Sequence, residues 1–215
     1  MVNFYPTQVS DFCSKETMIM IHLYRQLRKQ YPHVSHKWWP TSGEFKPVQL
    51  EIVIGALLTQ NTNWKNVEKA LKNLIDSNML SADAVANCHT SKLQRIIRPA
   101  GFYRQKSKRL GALCEFIANY GGNFYKDVTR EQLLELNGIG RETADSILLY
   151  ACNKPYFVID AYTRRLLKRE EIITGKEKYD EIKEMFEKKL PKNAKVYKHF
   201  HALIVENEKS MARRA

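Results

Sequence analysis

Apolar residues along this chain recur three and four positions apart, and no segment alternates apolar with polar as a half-buried strand does. Lys15–Lys29 carries Met18, Ile21, Leu23 and Leu27 among polar residues, which predicts an amphipathic helix. A loop holding Pro32, Pro40, Gly43 and Pro47 follows, with Trp38, Trp39 and Phe45 inside it. Val48–Leu58 is almost wholly apolar and predicts a helix buried at the centre of a bundle. Asn63–Ile75 is amphipathic through Val67, Leu71 and Leu74, and short helices are predicted at Ala82–Ala86 and Ser91–Arg98. A longer helix, Gln105–Tyr120, is stopped by Gly121-Gly122.

The segment from 129 to 169 is the most specific. Thr129 with Gln132 three residues on is a capping box, and it starts a helix carrying Leu133, Leu134 and Leu136. Asn137-Gly138-Ile139-Gly140 ends that helix, and a second, Arg141–Tyr150, begins at once with Ala144, Ile147, Leu148 and Ala151 on one face. Pro155 breaks the chain, and Asp160 opens another helix bearing Arg164, Arg165, Lys168 and Arg169. The acidic and basic tail from Glu177 is expected to form two surface helices. The predicted fold class is all-α.

Composition narrows the function. At 44% apolar the chain of 215 residues is globular, and 35 Lys+Arg against 23 Asp+Glu leave a charge of +12, which favours a polyanionic partner. The longest apolar stretch, near Ile52–Leu58, cannot span a bilayer, so no membrane role is expected. The start, MVNFYPTQVSDFC, lacks the pattern of a secretory signal. Cys13, Cys88, Cys114 and Cys152 are scattered with no CxxC pair, which argues against zinc or an iron-sulfur cluster and for reduced thiols in the cytosol.

Two elements point to nucleic acid. A glycine-hydrophobe-glycine turn lets the backbone approach closely, and the amides opening the next helix form an anion site without reading any base. The plain alternative for Gly138-Ile139-Gly140 is a helix connection without a ligand. Arg98–Leu110 holds Arg98, Arg104, Lys106, Lys108 and Arg109 and no acid, with Phe102 and Tyr103 between them. It reads either as a phosphate-binding stretch or as a solvated helix face.

LNGIGRETADSILLYA (Leu136–Ala151) followed by VIDAYTRRL (Val158–Leu166) resembles the helix-hairpin-helix DNA glycosylases of the endonuclease III type. LLTQNTNWKNVEKALKNL (Leu57–Leu74) and IIRPAGFYRQKSKRL (Ile96–Leu110) agree in kind and order, so the resemblance spans roughly residues 45–170. It implies two helical lobes with double-stranded DNA bound in the cleft between them. One lobe is a bundle over 42–155 containing the hairpin; the other joins 1–41 to 156–215 and carries the catalytic aspartate, Asp160, at its start. In many members a lysine eighteen residues before that aspartate attacks the sugar; here the position is Glu142, which cannot form a Schiff base. No cysteine follows Cys152, so no iron-sulfur cluster is expected. The chain is most similar to the cluster-less, lysine-less members that excise alkylated purines such as 3-methyladenine. This implies a monomeric, monofunctional enzyme of the bacterial cytoplasm and nucleoid, acting on DNA with damaged bases. No cofactor is expected, apart from the monovalent cation that the hairpin carbonyls of such proteins allow. Two rivals remain: a glycosylase/lyase acting on oxidised or mismatched pyrimidines through another lysine, and a non-catalytic DNA-binding module.

The resemblance assigns roles, each with an ordinary alternative. Asp160 either stabilises the positive charge that develops on the sugar, or only caps its helix; both can hold. Trp38, Trp39 and Phe45 are either walls of a pocket for a flipped base or core packing. Gln60 either fills the gap left by that base or makes a helix-terminal hydrogen bond. Glu142 either faces the pocket or solvent. Gly138, Ile139, Gly140, Arg141, Arg104 and Lys106 are candidate DNA contacts, as are Arg164 and Arg165 unless they pair with acids. Lys209 reaches the cleft only if the tail folds back.

Overall fold

The computed structural model describes residues 15–213, with side chains from Met18 onward. The reading of the first thirteen residues, and Cys13 with it, lies outside them. The elements in order are α1 (Lys15–Gln30), α2 (Val48–Leu58), α3 (Trp64–Asp76), α4 (Ala82–Ala86), α5 (Thr90–Ile96), a 3-10 turn at Arg98–Ala100, and α6 (Tyr103–Tyr120). Then follow α7 (Phe124–Asp127), α8 (Arg130–Leu134), α9 (Arg141–Ser146), a π-helical turn at Ile147–Ala151, α10 (Ala161–Arg169), α11 (Tyr179–Lys189) and α12 (Ala194–Ala212). No strand occurs among the described residues, so the fold is all-α.

Local chemistry sets most boundaries. The Asn63 side chain accepts from Asn66 N and starts α3; Thr129 and Gln132 form the expected capping box of α8. The predicted helix Ser91–Arg98 instead starts at Thr90 and stops at Ile96, and Pro99 belongs to the separate 3-10 turn. The predicted single helix Arg141–Tyr150 is also divided. After Ser146 the bond from Cys152 N to Ile147 O (3.1 Å) spans five residues, which widens the last turn.

That widening lets one turn serve two cores. Ile147, Leu148 and Ala151 join a cluster with the buried residues of α2, α3 and α6. Leu149 and Tyr150 join a second cluster with residues of α1, α10, α11 and α12 and with Phe157–Ile159. Trp39 and Ile52 pack against both. The tail is not a pair of surface helices: the run Phe200–Val205 of α12 is buried throughout, and Phe186 of α11 stacks on Phe157 with ring centroids 3.9 Å apart. The tail's charges had masked an apolar stripe that the second core requires.

Candidate active site

Asp160 ends an extended segment with no sheet neighbour, so its backbone is satisfied by side chains. Phe157 N donates to Glu187 Oε1 (2.7 Å) and Ile159 N to the Tyr179 hydroxyl (3.3 Å), while Phe157, Val158 and Ile159 are buried. Asp160 then caps α10, its Oδ1 accepting from Thr163 N at 2.7 Å. Its Oδ2 lies 3.4 Å from His201 Nε2, and its side chain is 15% exposed. Burial alone would raise this carboxyl; facing His201 and the Thr163 donor bring it below its ordinary value. The residue is therefore a cap and an ionised group at once.

Glu142, in the first turn of α9, is solvent-accessible yet closely surrounded by protein. Its pKa rises to about 7, because of that enclosure first and then the charge on Asp160, against the pull of His201 and Arg164. Trp38 and Trp39 form an aromatic wall with Tyr150, at ring separations of 6.4 and 4.7 Å, and Trp38 meets the His201 edge at 6.2 Å. Lys209 Nζ stands 5.3 Å from the Trp38 ring centre, so the tail does fold back to this wall. Trp39 Nε1 and His201 Nε2 are buried without a hydrogen-bond partner. The loop carrying the tryptophans is held by Glu51, whose carboxylate accepts from Ser42 N (2.8 Å), Ser42 Oγ (3.0 Å) and Gly43 N (3.3 Å).

The hairpin is built around Gly138, at φ +85°, where an added Cβ would sit 2.2 Å from Arg109 Cδ and Nε. Gln60 Nε2 donates to Gly138 O and to Thr143 Oγ1, both at 2.9 Å, and Arg109 Nη1 donates to Gln60 Oε1 at 3.2 Å. Ile139 is buried in the first core and anchors the turn. Gly140 caps α9 without a side-chain hydrogen bond, and the first intrahelical bond runs from Ala144 N to Gly140 O. No side chain caps the amides that open α9, the groups to which the sequence pattern assigns a phosphate. Gly138→Ala should therefore lower stability by about 1–3 kcal/mol and weaken binding to undamaged duplex DNA. Thermal melts and titration of labelled duplex would show both, and unchanged values would remove the glycine requirement.

The other candidates divide. Arg104 is exposed; Arg141 is exposed and pairs with Asp180 (3.0 Å); Arg164 donates to Glu177 O (3.1 Å). Arg165 lies 3.5 Å from Glu208, the acid-paired alternative for that residue. Gln60 bonds the hairpin, Arg109 and Thr143 in the first turn of α9, so its helix-terminal alternative is met. Two expectations need correction. Lys106 is 2% exposed and donates to Leu58 O and Ala100 O, both at 2.8 Å, so it closes the carbonyl end of α2 and cannot meet a phosphate. Phe45 is 2% exposed within the first core, so it is packing and not a pocket wall. Sequence reasoning missed His201 and Tyr150 as site residues, and it placed Arg109 only in a phosphate-binding stretch and not against Gln60. A histidine within the apolar run Phe200–Val205 was the available signal for the first.

Taken together, a glycine hairpin opening α9, an ionised, helix-capping aspartate and an aromatic wall point to a helix-hairpin-helix enzyme that works on bases in DNA. Residues 54–192, which include both the hairpin and Asp160, match the HhH-GPD superfamily base excision DNA repair protein family. The chain belongs to that family, and its class is that of the DNA glycosylases of base excision repair. It is 48% identical to the "Putative DNA repair glycosylase" of Methanocaldococcus jannaschii, over 89% of this chain and 88% of that protein. It resembles the crystal structure of H. pylori 3-methyladenine DNA glycosylase (MagIII) bound to 1,N6-ethenoadenine, with 35% identity and a TM-score of 0.76 over 91% of this chain and 98% of that one. An endonuclease III-DNA complex, 19% identical with a TM-score of 0.72 over 88% and 84% of the two chains, shares the fold. Among the described residues no helix is long and apolar enough to cross a membrane.

Proposed function

We propose that this glycosylase is monofunctional and hydrolyses the N-glycosidic bond of a flipped alkylated purine, with 3-methyladenine as its preferred base. The observation that carries the reading is the residue at position 142: eighteen positions before Asp160, where a lyase needs an amine, this chain has a glutamate, and the charge on Asp160 helps to raise its pKa. In this reading the duplex lies between the hairpin bundle, 42–155, and the second lobe, of which the described residues are 15–41 and 156–213. The hairpin amides, Arg104, Arg141 and Arg164 hold phosphates and fix register without reading sequence. The extruded base stacks against the aromatic wall of Trp38 and Trp39.

The chemistry follows from charge. As the C1′–N bond breaks, its electron pair goes to the purine, which was cationic and leaves neutral, while positive charge builds on the sugar. The Asp160 carboxylate stabilises that charge and accepts the proton of the attacking water as its oxygen bonds to C1′. An ionised Glu142 and the aromatic faces favour a cationic base over an unmodified one. Neutral carbonyl oxygens suit a monovalent cation, and the hairpin offers them, although Leu136 O and Gly138 O already accept from Ile139 N and Gln60. Such an ion would help position a phosphate and has no part in bond breaking; an iron-sulfur cluster is not part of this proposal.

The expected result is release of free 3-methyladenine from methylated duplex DNA, with no covalent protein-DNA adduct after borohydride reduction. Lys209 beside Trp38 is the amine a rival lyase reading would use. A trapped adduct lost in Lys209→Ala would favour that reading, and release of oxidised pyrimidines alone would overturn the substrate assignment.

A further inference from the structure

The proposed role of Asp160 raises the question of what orients its carboxylate, and the answer lies on α12. His201 is 4% exposed. Its Nδ1 is 2.6 Å from the Tyr150 hydroxyl, and its Nε2 is 3.4 Å from Asp160 Oδ2 with no hydrogen-bond partner elsewhere. A buried ring nitrogen without a partner costs stability, so a short closure onto the carboxylate is favoured. The Tyr150 phenol stays protonated, because burial and then the charge on Asp160 push its pKa well above 10.0.

This geometry selects the proton positions. The phenol either donates into Nδ1 of a neutral ring or accepts from Nδ1–H of an imidazolium, and in both cases Nε2 carries a hydrogen. The remaining form, with Nδ1 protonated and Nε2 bare, would aim a lone pair at a carboxylate and is disfavoured. We propose that His201, oriented by Tyr150, is a positioning residue that presents an N–H to Asp160 Oδ2 and fixes the plane of the carboxylate. Thr163 N holds the other oxygen at 2.7 Å, so the π-helical turn, α10 and α12 together orient one side chain. The lone pairs left over face the sugar and the incoming water, and the N–H donor keeps the carboxylate ionised.

The inference rests on the proposed role of Asp160, and the two can fail separately. Single-turnover base release from alkylated duplex would be followed from about pH 5 to 9 in full-length protein, alongside DNA affinity. Glu142 from α9 and Tyr150 from the π-helical turn are coupled to the charge on Asp160, and Arg164 on α10 bears on Glu142. The pH profiles are therefore repeated in a Glu142→Gln background, which removes the neighbour that titrates near 7.

His201→Phe keeps the ring and loses both nitrogens. It is expected to slow release about 10–100-fold, the range for a hydrogen bond to a charged group, with DNA affinity unchanged and the acid limb moved to higher pH. His201→Gln, which keeps a donor, should recover part of the rate. Tyr150→Phe, a milder change should His201→Phe fail to fold, should slow release about 3–10-fold with the same direction of shift. Wild-type rates in Tyr150→Phe, or a uniform fall at every pH with the acid limb in place, would overturn the assignment. If Asp160→Asn is inactive while the Tyr150 and His201 variants behave as wild type, only this inference fails. If Asp160→Asn excises normally, the catalytic reading fails first and takes this one with it.

Discussion

Asp160→Asn is expected to bind damaged duplex with wild-type affinity and to release base at least about 10²–10³-fold more slowly. Asparagine caps a helix as well as aspartate does, so the bond to Thr163 N and the start of α10 survive. What disappears is the negative charge facing the sugar and the acceptor for the proton of water. A change that preserves the fold and removes one charge separates the proposed chemistry from the capping seen in the structure. Binding measured by titration and release measured in single turnover would give the answer. Full activity in the variant would make Asp160 a cap alone, and the protein a binding module or an enzyme with its chemistry elsewhere.

The second large effect lies under the hairpin. Asp145 on α9 has a fully buried carboxylate, gripped by Arg130 Nε at 2.7 Å and Nη2 at 3.1 Å. The same guanidinium donates to Asp180 (2.8 Å), which also pairs with Arg141 (3.0 Å). Arg130→Met should cost about 3–5 kcal/mol, since it strands a buried charge, and for a domain of this size lower the melting temperature by roughly 6–20 °C. Burial already raises the Asp145 carboxyl, against the pull of Arg130. Without the arginine it rises further. A carboxyl whose folded pKa exceeds its unfolded value stabilises the fold at low pH and loses that contribution as pH rises through the folded pKa. The deficit against wild type should therefore be smaller at about pH 5 than at pH 8, by thermal melting; equal deficits would mean that lost packing, not stranded charge, is responsible.

The helices, their caps and the hairpin were legible in the sequence because each rests on neighbours within a few residues. The box of Thr129 and Gln132 and the glycines at 138 and 140 needed no knowledge of the distant chain. Lys106 and Phe45 misled for the opposite reason. A basic residue amid basic residues is read as exposed, yet the open carbonyls at the end of α2 drew this one inward. An aromatic in a proline-rich loop is read as available, yet the loop lies down on the first core. His201 was passed over because its partners, Tyr150 and Asp160, are 51 and 41 positions away and meet it only when α12 is packed inside. The charged appearance of the tail concealed that packing.

The five-residue π-helical turn has a last implication. Adjacent residues within it, Leu148 and Leu149, belong to different cores. No cut in the chain separates the two halves cleanly, since a fragment ending anywhere near this turn would carry away part of its neighbour's interior. The protein thus has two interiors but is not modular. An isolated hairpin bundle would present Leu149 and Tyr150 to water and lack the α12 surface that covers them. Fusions or grafts that treat the hairpin as a portable DNA-binding piece would need to redesign that exposed seam.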